Sequence, residues 1–197
     1  MPNSPLFIKS VIRAAHLILT GYGHWLPNDP RGSGSSSVRA PILKHLGPIH
    51  FGRKRQQPSR DKLRSFHQNA EAELEHPVIW FEDNLRQAVA RGIEQAQVEG
   101  GYTIWACAIL RNHVHLVIRT NSDDSMSMLA RVARHTHDAI HALELVPREH
   151  PVWSNRPYKV FLRNDVQIRQ TIRYVEENPV KEGLAPQKWS FVSKFEK

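Results

Sequence analysis

The protein has 197 residues, of which 40% are hydrophobic and 23% are charged. These values are ordinary for a globular chain and exclude a disordered, collagen-like or coiled-coil protein. The 27 Lys and Arg residues outnumber the 19 Asp and Glu residues, which gives a formal net charge of +8 and a pI of about 9.9. A basic surplus of this size favours a polyanionic partner, although charge alone leaves an anionic membrane surface and simple solubility open.

Cysteine content and hydropathy indicate the compartment. The single cysteine, Cys107, excludes an intramolecular disulfide and a multi-cysteine zinc site, which fits a reducing environment. No uncharged apolar run approaches the roughly 18–20 residues that a membrane span requires. Residues 1–10 lack the basic start and apolar centre of a secretory signal. We therefore expect a cytoplasmic protein without a membrane partner.

The N-terminal part of the chain predicts one strand followed by a long insertion. Ala15–Thr20 is rich in β-forming residues and is bounded by glycine. Pro27–Pro41 is dense in Pro, Gly and Ser, which predicts a long loop. Phe51–Arg64 then carries six basic residues and one acidic residue. We expect a single domain over residues 1–197, with a loop-rich basic insertion at about 24–76.

The rest of the chain predicts alternating helices and strands. Helices are expected at Phe81–Val98, Ser125–Leu145 and Asp165 to about Glu177, and strands at Tyr102–Leu110, His113–Arg119 and Tyr158–Leu162. Gly100-Gly101 would end the first helix, Asp165 would be the N-cap of the last, and Asn178-Pro179 would end it. The order predicts an α+β fold: a ferredoxin-like β-α-β-β-α-β split unit with an antiparallel sheet and an appended C-terminal helix.

The sharpest local feature is His113-Val114-His115. Residues two apart on a strand point to the same face, so the two imidazoles would emerge side by side. Two neutral imidazoles can share one divalent cation. His135 and His137 repeat the spacing within a predicted helix, where it does not place two residues on one face. Spacing alone therefore leaves a metal site and a chance pair both open.

A second feature lies on the last predicted helix. Tyr174 and Asn178 are four residues apart, which places them on one stripe of the helix. The tyrosine could be a nucleophile and the asparagine carbonyl a third metal ligand. The alternative is a half-buried aromatic residue with its hydroxyl in water, and the pattern alone does not choose between them.

Together the two segments carry a resemblance to a known family. Ile109–Ile118 and Arg173–Gly183 resemble the two signature motifs of HUH-superfamily single-strand DNA transposases, and more narrowly the REP-associated tyrosine transposase branch of the insertion-sequence-200-like family. In that family a His-hydrophobic-His motif binds a divalent metal, and a tyrosine in a Tyr-x-x-x-Asn-Pro-x-x-x-Gly segment attacks DNA. The resemblance covers most of residues 11–192. The matching positions are His113, His115, Tyr174, Asn178, Pro179 and Gly183.

The resemblance implies a metal-dependent transposase that cleaves and rejoins single-stranded DNA through a covalent 5′-phosphotyrosine. Its partner would be DNA with hairpins or inverted repeats, and it would act as a monomer or homodimer. Tyr174 would be the nucleophile. His113, His115 and Asn178, or Glu177 in place of Asn178, would hold Mg²⁺ or Mn²⁺. Because Mg²⁺ prefers oxygen ligands, the imidazoles favour Mn²⁺.

Contacts to the DNA backbone are expected from a set of basic residues. This set is Arg53, Lys54, Arg55, Arg60, Lys62, Arg64, Arg131, Arg134 and Arg173. Trp25, Trp153 and Tyr158 could stack on unpaired bases or belong to the core. Two alternatives stay open: a replication-type nickase with the same residues, and an inactive or domesticated nucleic-acid-binding protein of the same fold. A zinc metalloprotease is disfavoured, since the chain has no His-Glu-x-x-His helix.

Overall fold

The computed structural model describes residues 11–36 and 41–196, so parts of the predicted N-terminus and loop lie outside the described residues. The described strands are β1 (Ala14–Thr20), β2 (Ile104–Ile109), β3 (His113–Arg119) and β4 (Tyr158–Leu162). The α-helices are α1 (Arg60–Glu71), α2 (Asp83–Gly100), α3 (Ser125–His141) and α4 (Asp165–Lys181), with a 3₁₀ turn at Pro41–Leu46. The predicted α+β class with an antiparallel sheet is confirmed. Among the described helices, none has the length and apolar character that crossing a membrane requires.

The four strands form one sheet in the order β2-β3-β1-β4, and every neighbouring pair is antiparallel. In the register of β1 with β3, Ile18 lies opposite His115 and His16 lies opposite Val117. Side chains alternate along a strand, so His16, His113 and His115 share one face of the sheet. We call it the site face. On the edge strand β4, Tyr158 pairs with Ile18 and Val160 pairs with His16, so these two residues also lie on the site face.

Helices α2 and α3 cover the opposite face of the sheet. They come close together at Gly92, where an added Cβ would lie 2.5 Å from the Cα of Thr136. The two helices therefore meet backbone against backbone at this point. The main core lies between them and the sheet and includes Leu17, Leu19, Leu85, Val89, Ile93, Val114, Leu116, Ile118, Met128, Leu129 and Val132.

Helix α4 packs on the site face, over β2 and β3. Ile168 and Val175 are fully buried there and contact a small core that includes Val117. The predicted N-cap, Asp165, is wrong by one residue: the side chain of Asn164 accepts a hydrogen bond from the backbone N–H of Gln167. The core contacts of Val175 place its sequence neighbour, Tyr174, at the margin of the helix interface.

The predicted end of α4 is also wrong. The helix continues through Pro179 to Lys181. A proline removes one N–H donor, but the carbonyls of Asn178 and Pro179 still accept hydrogen bonds from the N–H groups of Glu182 and Leu184. The last turn therefore closes around the proline, which keeps Tyr174 and Asn178 within one continuous helix.

Helices α2 and α3 differ less from the prediction. Gly101 ends α2 in the left-handed conformation, with φ of 60°, as the glycine pair predicted. Helix α3 ends at His141, four residues before the predicted Leu145, and Glu144 beyond it has φ of 56°.

The insertion holds more regular structure than predicted, because part of it is helix α1. The helix begins after Ser59, whose hydroxyl accepts a hydrogen bond from the N–H of Lys62. It carries apolar residues four apart on one face, and these form a small separate core. The members of this core are Leu26, Leu43, Phe66 and Ala70.

The Gly92→Ala variant tests the close contact of α2 with α3. In an exposed helix this change stabilises by about 1 kcal/mol. Here the methyl group would overlap the backbone at Thr136, so we expect the free energy of unfolding to fall by about 1–3 kcal/mol in urea titrations. The matched control is Val98→Ala, at a position of the same helix that is 78% exposed, and its effect should stay within about 0.5 kcal/mol. Unchanged stability of Gly92→Ala would contradict the observed packing.

Candidate functional site

Three histidine side chains meet on the site face. The Nε2 atoms of His113 and His115 are 3.0 Å apart, and the Nδ1 atom of His115 lies 2.9 Å from Nε2 of His16. His115 and His16 are only 4% and 8% exposed. The structure therefore brings the predicted histidine pair together and adds a third imidazole, which the sequence analysis missed.

Burial keeps these imidazoles uncharged. Desolvation lowers the pKa of His16 to about 4 and that of His113 to about 4. It lowers the pKa of His115 to about 3, with a smaller contribution from charge on the two neighbouring histidines. At neutral pH each ring thus keeps one unprotonated nitrogen, which is the form that can ligate a metal ion.

Tyr174 stands edge-on to the buried histidines. Its ring centroid is 5.7 Å from that of His115 and 6.2 Å from that of His16, with interplanar angles of 85° and 73°. The side-chain ammonium of Lys181 lies 5.8 Å from the centroid of the tyrosine ring. The tyrosine is 47% exposed, so about half of the residue is open to solvent.

The two candidates for a third ligand differ in their surroundings. Glu177 accepts hydrogen bonds from Lys181 at 2.8 Å and from Arg173 at 2.7 Å, and these contacts lower its pKa to about 2. Asn178 is buried, and its Nδ2 atom has no hydrogen-bond partner. Within the described part of the chain, no hydrogen bond joins Asn178 to either histidine of the pair. Its role as a ligand stays a prediction.

The donor set fits a divalent transition metal. The Nε2 atoms of two neutral imidazoles lie 3.0 Å apart, which is close enough for both to bind one ion. Over residues 11–36 and 41–196 no group of three or more His, Cys, Asp or Glu side chains is arranged to hold a metal. Further ligands would therefore come from the Asn178 amide, water or the substrate. A buried amide nitrogen without a partner costs about 1–3 kcal/mol, which a bound acceptor would offset.

Two of the predicted DNA contacts lie far from this site in the fold. Arg131 and Arg134 belong to α3, on the other side of the sheet. Both form ion pairs with Glu99 of α2, and Arg131 also pairs with Asp123 at 3.2 Å. The two arginines thus link α2 to α3, and any contact of theirs with DNA would compete with these pairs.

The basic residues of the insertion lie near exposed aromatic side chains. The N–H of Lys54 donates to the carbonyl of Arg31, whose guanidinium lies 4.6 Å from the ring centroid of Trp25. Trp25 is 40% exposed. Among the described residues, no hydrogen bond, ion pair or ring contact joins the side chains of Trp25, Arg31 and Lys54 to the three histidines of the site face. Within the insertion, the exposed members of the basic set are Arg53, Arg55, Arg60, Lys62 and Arg64.

One edge of the insertion does reach the site. Charge on His24 contributes to the lowered pKa of His113, after desolvation. His24 donates from Nε2 to the carbonyl of Ile79 at 2.7 Å, and the ring of Trp80 meets it edge-on at 4.3 Å. Trp80 is 51% exposed, so a partly exposed aromatic ring lies next to His24. No sequence pattern connected these residues to the site.

The other two aromatic candidates, Trp153 and Tyr158, differ in their surroundings. Trp153 packs against Phe81 in the main core and donates from Nε1 to the hydroxyl of Thr136, which leaves it a structural role. Tyr158 is 63% exposed on β4 and lies opposite Ile18, on the site face.

Comparison with known proteins adds two structural likenesses. No known protein-family profile and no curated protein matches the sequence. Among solved structures, the chain is similar to a REP-associated tyrosine transposase bound to a REP hairpin, with 14% identity over 100% of both chains and a TM-score of 0.45. It is also similar to a protein of Deinococcus radiodurans R1 assigned as a transposase, with 10% identity over 94% of this chain and 100% of the other and a TM-score of 0.35. Both TM-scores lie below 0.5, so the site itself has to carry the functional argument.

The buried histidines make stability depend on pH. Their pKa values are about 3 to 4 in the folded protein and near 6.5 in the unfolded chain. At a pH between these values the unfolded state therefore binds more protons than the folded state. The contribution of these histidines to the free energy of unfolding is complete above about pH 6.5 and decreases as the pH falls towards 4. Urea titrations at pH 7.5 and 5.0 should show this loss, and His115→Gln should make it smaller. The control Ile18→Val, on the same face, should leave the size of the loss unchanged. An equal loss in His115→Gln would contradict the assignment.

Proposed function

We propose that the protein is a metal-dependent enzyme that cleaves and rejoins single-stranded DNA, with Tyr174 as its nucleophile. The observation that supports this proposal is the half-exposed Tyr174 beside the neutral ring of His115, whose Nε2 atom lies 3.0 Å from that of His113. A nucleophile open to a large substrate and a cation-binding pair at one place are the parts that phosphodiester transfer needs.

The proposed reaction exchanges one phosphodiester for another. The hydroxyl oxygen of Tyr174 attacks phosphorus, and the bond from phosphorus to the 3′ oxygen of the upstream nucleotide breaks. The phenolic proton leaves to solvent, and the departing 3′ oxygen takes up a proton. The products are a 5′-phosphotyrosine on the downstream strand and a free 3′-OH on the upstream strand. Because the new bond is also a phosphodiester, a 3′-OH can reverse the step without an external energy source.

The residues around Tyr174 assist each stage. The ammonium of Lys181, 5.8 Å from the centroid of the tyrosine ring, places a positive charge beside the nucleophile. His113 and His115, with Asn178 as the proposed third ligand, would hold Mg²⁺ or Mn²⁺. A bound cation would neutralise charge on the non-bridging oxygens and orient the scissile phosphate. The buried imidazoles stay neutral at pH 7 and so remain available as ligands.

The proposed substrate is a single strand that carries a hairpin. The two sequence motifs resemble those of transposases that act on such DNA, and exposed Trp25 and Trp80 could stack on unpaired bases. The exposed arginines and lysines of the insertion would contact phosphates, so binding should weaken steeply as salt rises.

The Tyr174→Phe variant tests the nucleophile. We expect it to form no covalent adduct, because it lacks the attacking oxygen, while its affinity for DNA changes little. The assay incubates the protein with Mn²⁺ and a hairpin-bearing single strand labelled at its 3′ end, and then looks for labelled protein on a denaturing gel. Tyr158→Phe is the matched control, since it alters another exposed tyrosine on the site face and should keep the adduct.

Two results would contradict the proposal in different ways. An adduct that persists in Tyr174→Phe would exclude this residue as the nucleophile. Binding without any adduct, in both the wild-type protein and the variant over a panel of hairpin strands, would favour the alternative of an inactive nucleic-acid-binding protein.

Replacing both His113 and His115 by alanine tests the metal site. We expect the double variant to lose Mn²⁺ binding in electron paramagnetic resonance titrations, and with it the metal-dependent cleavage, because both imidazole ligands are gone. The control is His137→Ala, which removes an exposed histidine from α3. Wild-type affinity for Mn²⁺ in the double variant would place the ion elsewhere.

A further inference from the structure

A chain of three hydrogen bonds runs through the histidine cluster. The Nδ1 atom of His113 lies 2.6 Å from the side-chain oxygen of Asn112. The Nε2 atom of His113 faces Nε2 of His115 at 3.0 Å, and Nδ1 of His115 faces Nε2 of His16 at 2.9 Å. Each ring therefore has a neighbour that restricts which of its nitrogens carries the proton.

The first contact determines the protons of the whole chain. The amide oxygen of Asn112 only accepts, so Nδ1 of His113 carries a proton and donates. A neutral His113 then has a lone pair on Nε2, and His115 must donate to it from its own Nε2. His115 consequently has a lone pair on Nδ1, which accepts a hydrogen bond from Nε2 of His16. This set of contacts therefore requires the Nε2–H tautomer of both His115 and His16.

The contact between His16 and His115 has the shape of a good hydrogen bond. Their ring centroids are 5.1 Å apart and the ring planes differ by 26°. With 2.9 Å between the nitrogens, the rings meet edge to edge and are nearly coplanar. The lone pair of an imidazole nitrogen lies in the ring plane, so the donor points along it.

Metal binding requires a different arrangement of these protons. An ion shared by the two Nε2 atoms needs a lone pair on each, so the proton of His115 has to be on Nδ1. There it would donate to His16, whose Nε2 would then accept. The balanced change is that His115 loses its Nε2 proton to solvent, His16 passes its Nε2 proton to Nδ1 of His115, and His16 gains a proton from solvent at its own Nδ1. The total number of protons is unchanged.

We propose that His16 is a positioning residue that holds the ring of His115 and exchanges tautomer with it when the histidine pair binds a metal ion. The inference rests on the proposed function only in that the pair ligates a divalent cation. Metal-ligating histidines usually donate their other ring N–H to such a partner, and loss of that partner typically lowers metal affinity about 10–100-fold. Here the partner is another imidazole, which can either donate or accept.

Nuclear magnetic resonance of protein with ¹⁵N-labelled histidine tests the proton arrangement directly. In the metal-free protein we expect His115 and His16 to show the Nε2–H tautomer. With the diamagnetic probe Zn²⁺, both should change tautomer, so that the proton of His115 is on Nδ1 and that of His16 is on its own Nδ1. His113 should keep its proton on Nδ1 in both states. A metal-free His115 with its proton on Nδ1, or a His16 that does not respond to Zn²⁺, would overturn the inference.

Two substitutions separate positioning from simple packing. His16→Phe keeps a flat ring but removes the hydrogen bond, and it should weaken Mn²⁺ binding about 10–100-fold in paramagnetic resonance titrations. His16→Gln offers both an acceptor and a donor, and it should restore the affinity to within about threefold. Ile18→Val is the control on the same strand and face and should bind Mn²⁺ as the wild type does. Thermal melts check that each variant folds. If His16→Phe does not fold, the tautomers of the wild-type protein, measured by nuclear magnetic resonance, remain the test.

The outcomes distinguish this inference from the proposed function. Unchanged Mn²⁺ affinity in folded His16→Phe, or failure of His16→Gln to restore it, overturns only the role of His16. Tight metal binding by the wild type without any DNA adduct overturns only the proposed reaction. A wild-type protein that binds neither Mn²⁺ nor Zn²⁺ overturns both.

Discussion

The candidate site depends on the antiparallel register between β1 and β3. With Ile18 opposite His115, the histidine of β1 falls on the same face as the histidine pair of β3. A shift of one residue would turn His16 into the core between the sheet and α2 and α3, and would turn Leu17 out of it. Leu17 is fully buried in that core. The apolar contacts of one face therefore fix the polar contacts of the other, and the hydrophobic core specifies the site indirectly.

The sequence could predict those features of the site that depend only on residues close together in the chain. The two histidines of β3 share a face because of strand alternation alone, and Tyr174 and Asn178 share a stripe because of helix geometry alone. His16 is a polar residue within the otherwise apolar run 14–19, but nothing local indicates which residue of β3 it meets about a hundred residues later. The end of α4 was misjudged because the local rule for a residue before proline ignores the hydrogen bonds that close the turn beyond Pro179. Similarly, α1 was missed because its apolar face has partners only in the small core of the insertion.

The basic residues of the protein differ in their surroundings. Some arginines have acidic partners within the fold: Arg131 and Arg134 meet Glu99, and their contacts hold α2 to α3 on the far side of the sheet. Others, such as Arg53 and Arg55, are exposed in the insertion. A count of basic residues cannot separate the two groups, since an ion pair depends on which acidic residue the fold brings close. The net charge alone therefore does not tell which basic residues a polyanion would meet.

The partial cover of the site face has a consequence for how a substrate approaches. Helix α4 lies over β2 and β3, while Tyr158 and Val160 of the edge strand β4 remain 63% and 39% exposed on that face. Tyr174 thus lies beside a part of the site face that α4 leaves uncovered. A closed pocket admits only small molecules or the free end of a chain. An uncovered stretch of sheet allows a long polymer to approach sideways at an internal position, so the proposed cleavage needs no pre-existing end near the point of attack.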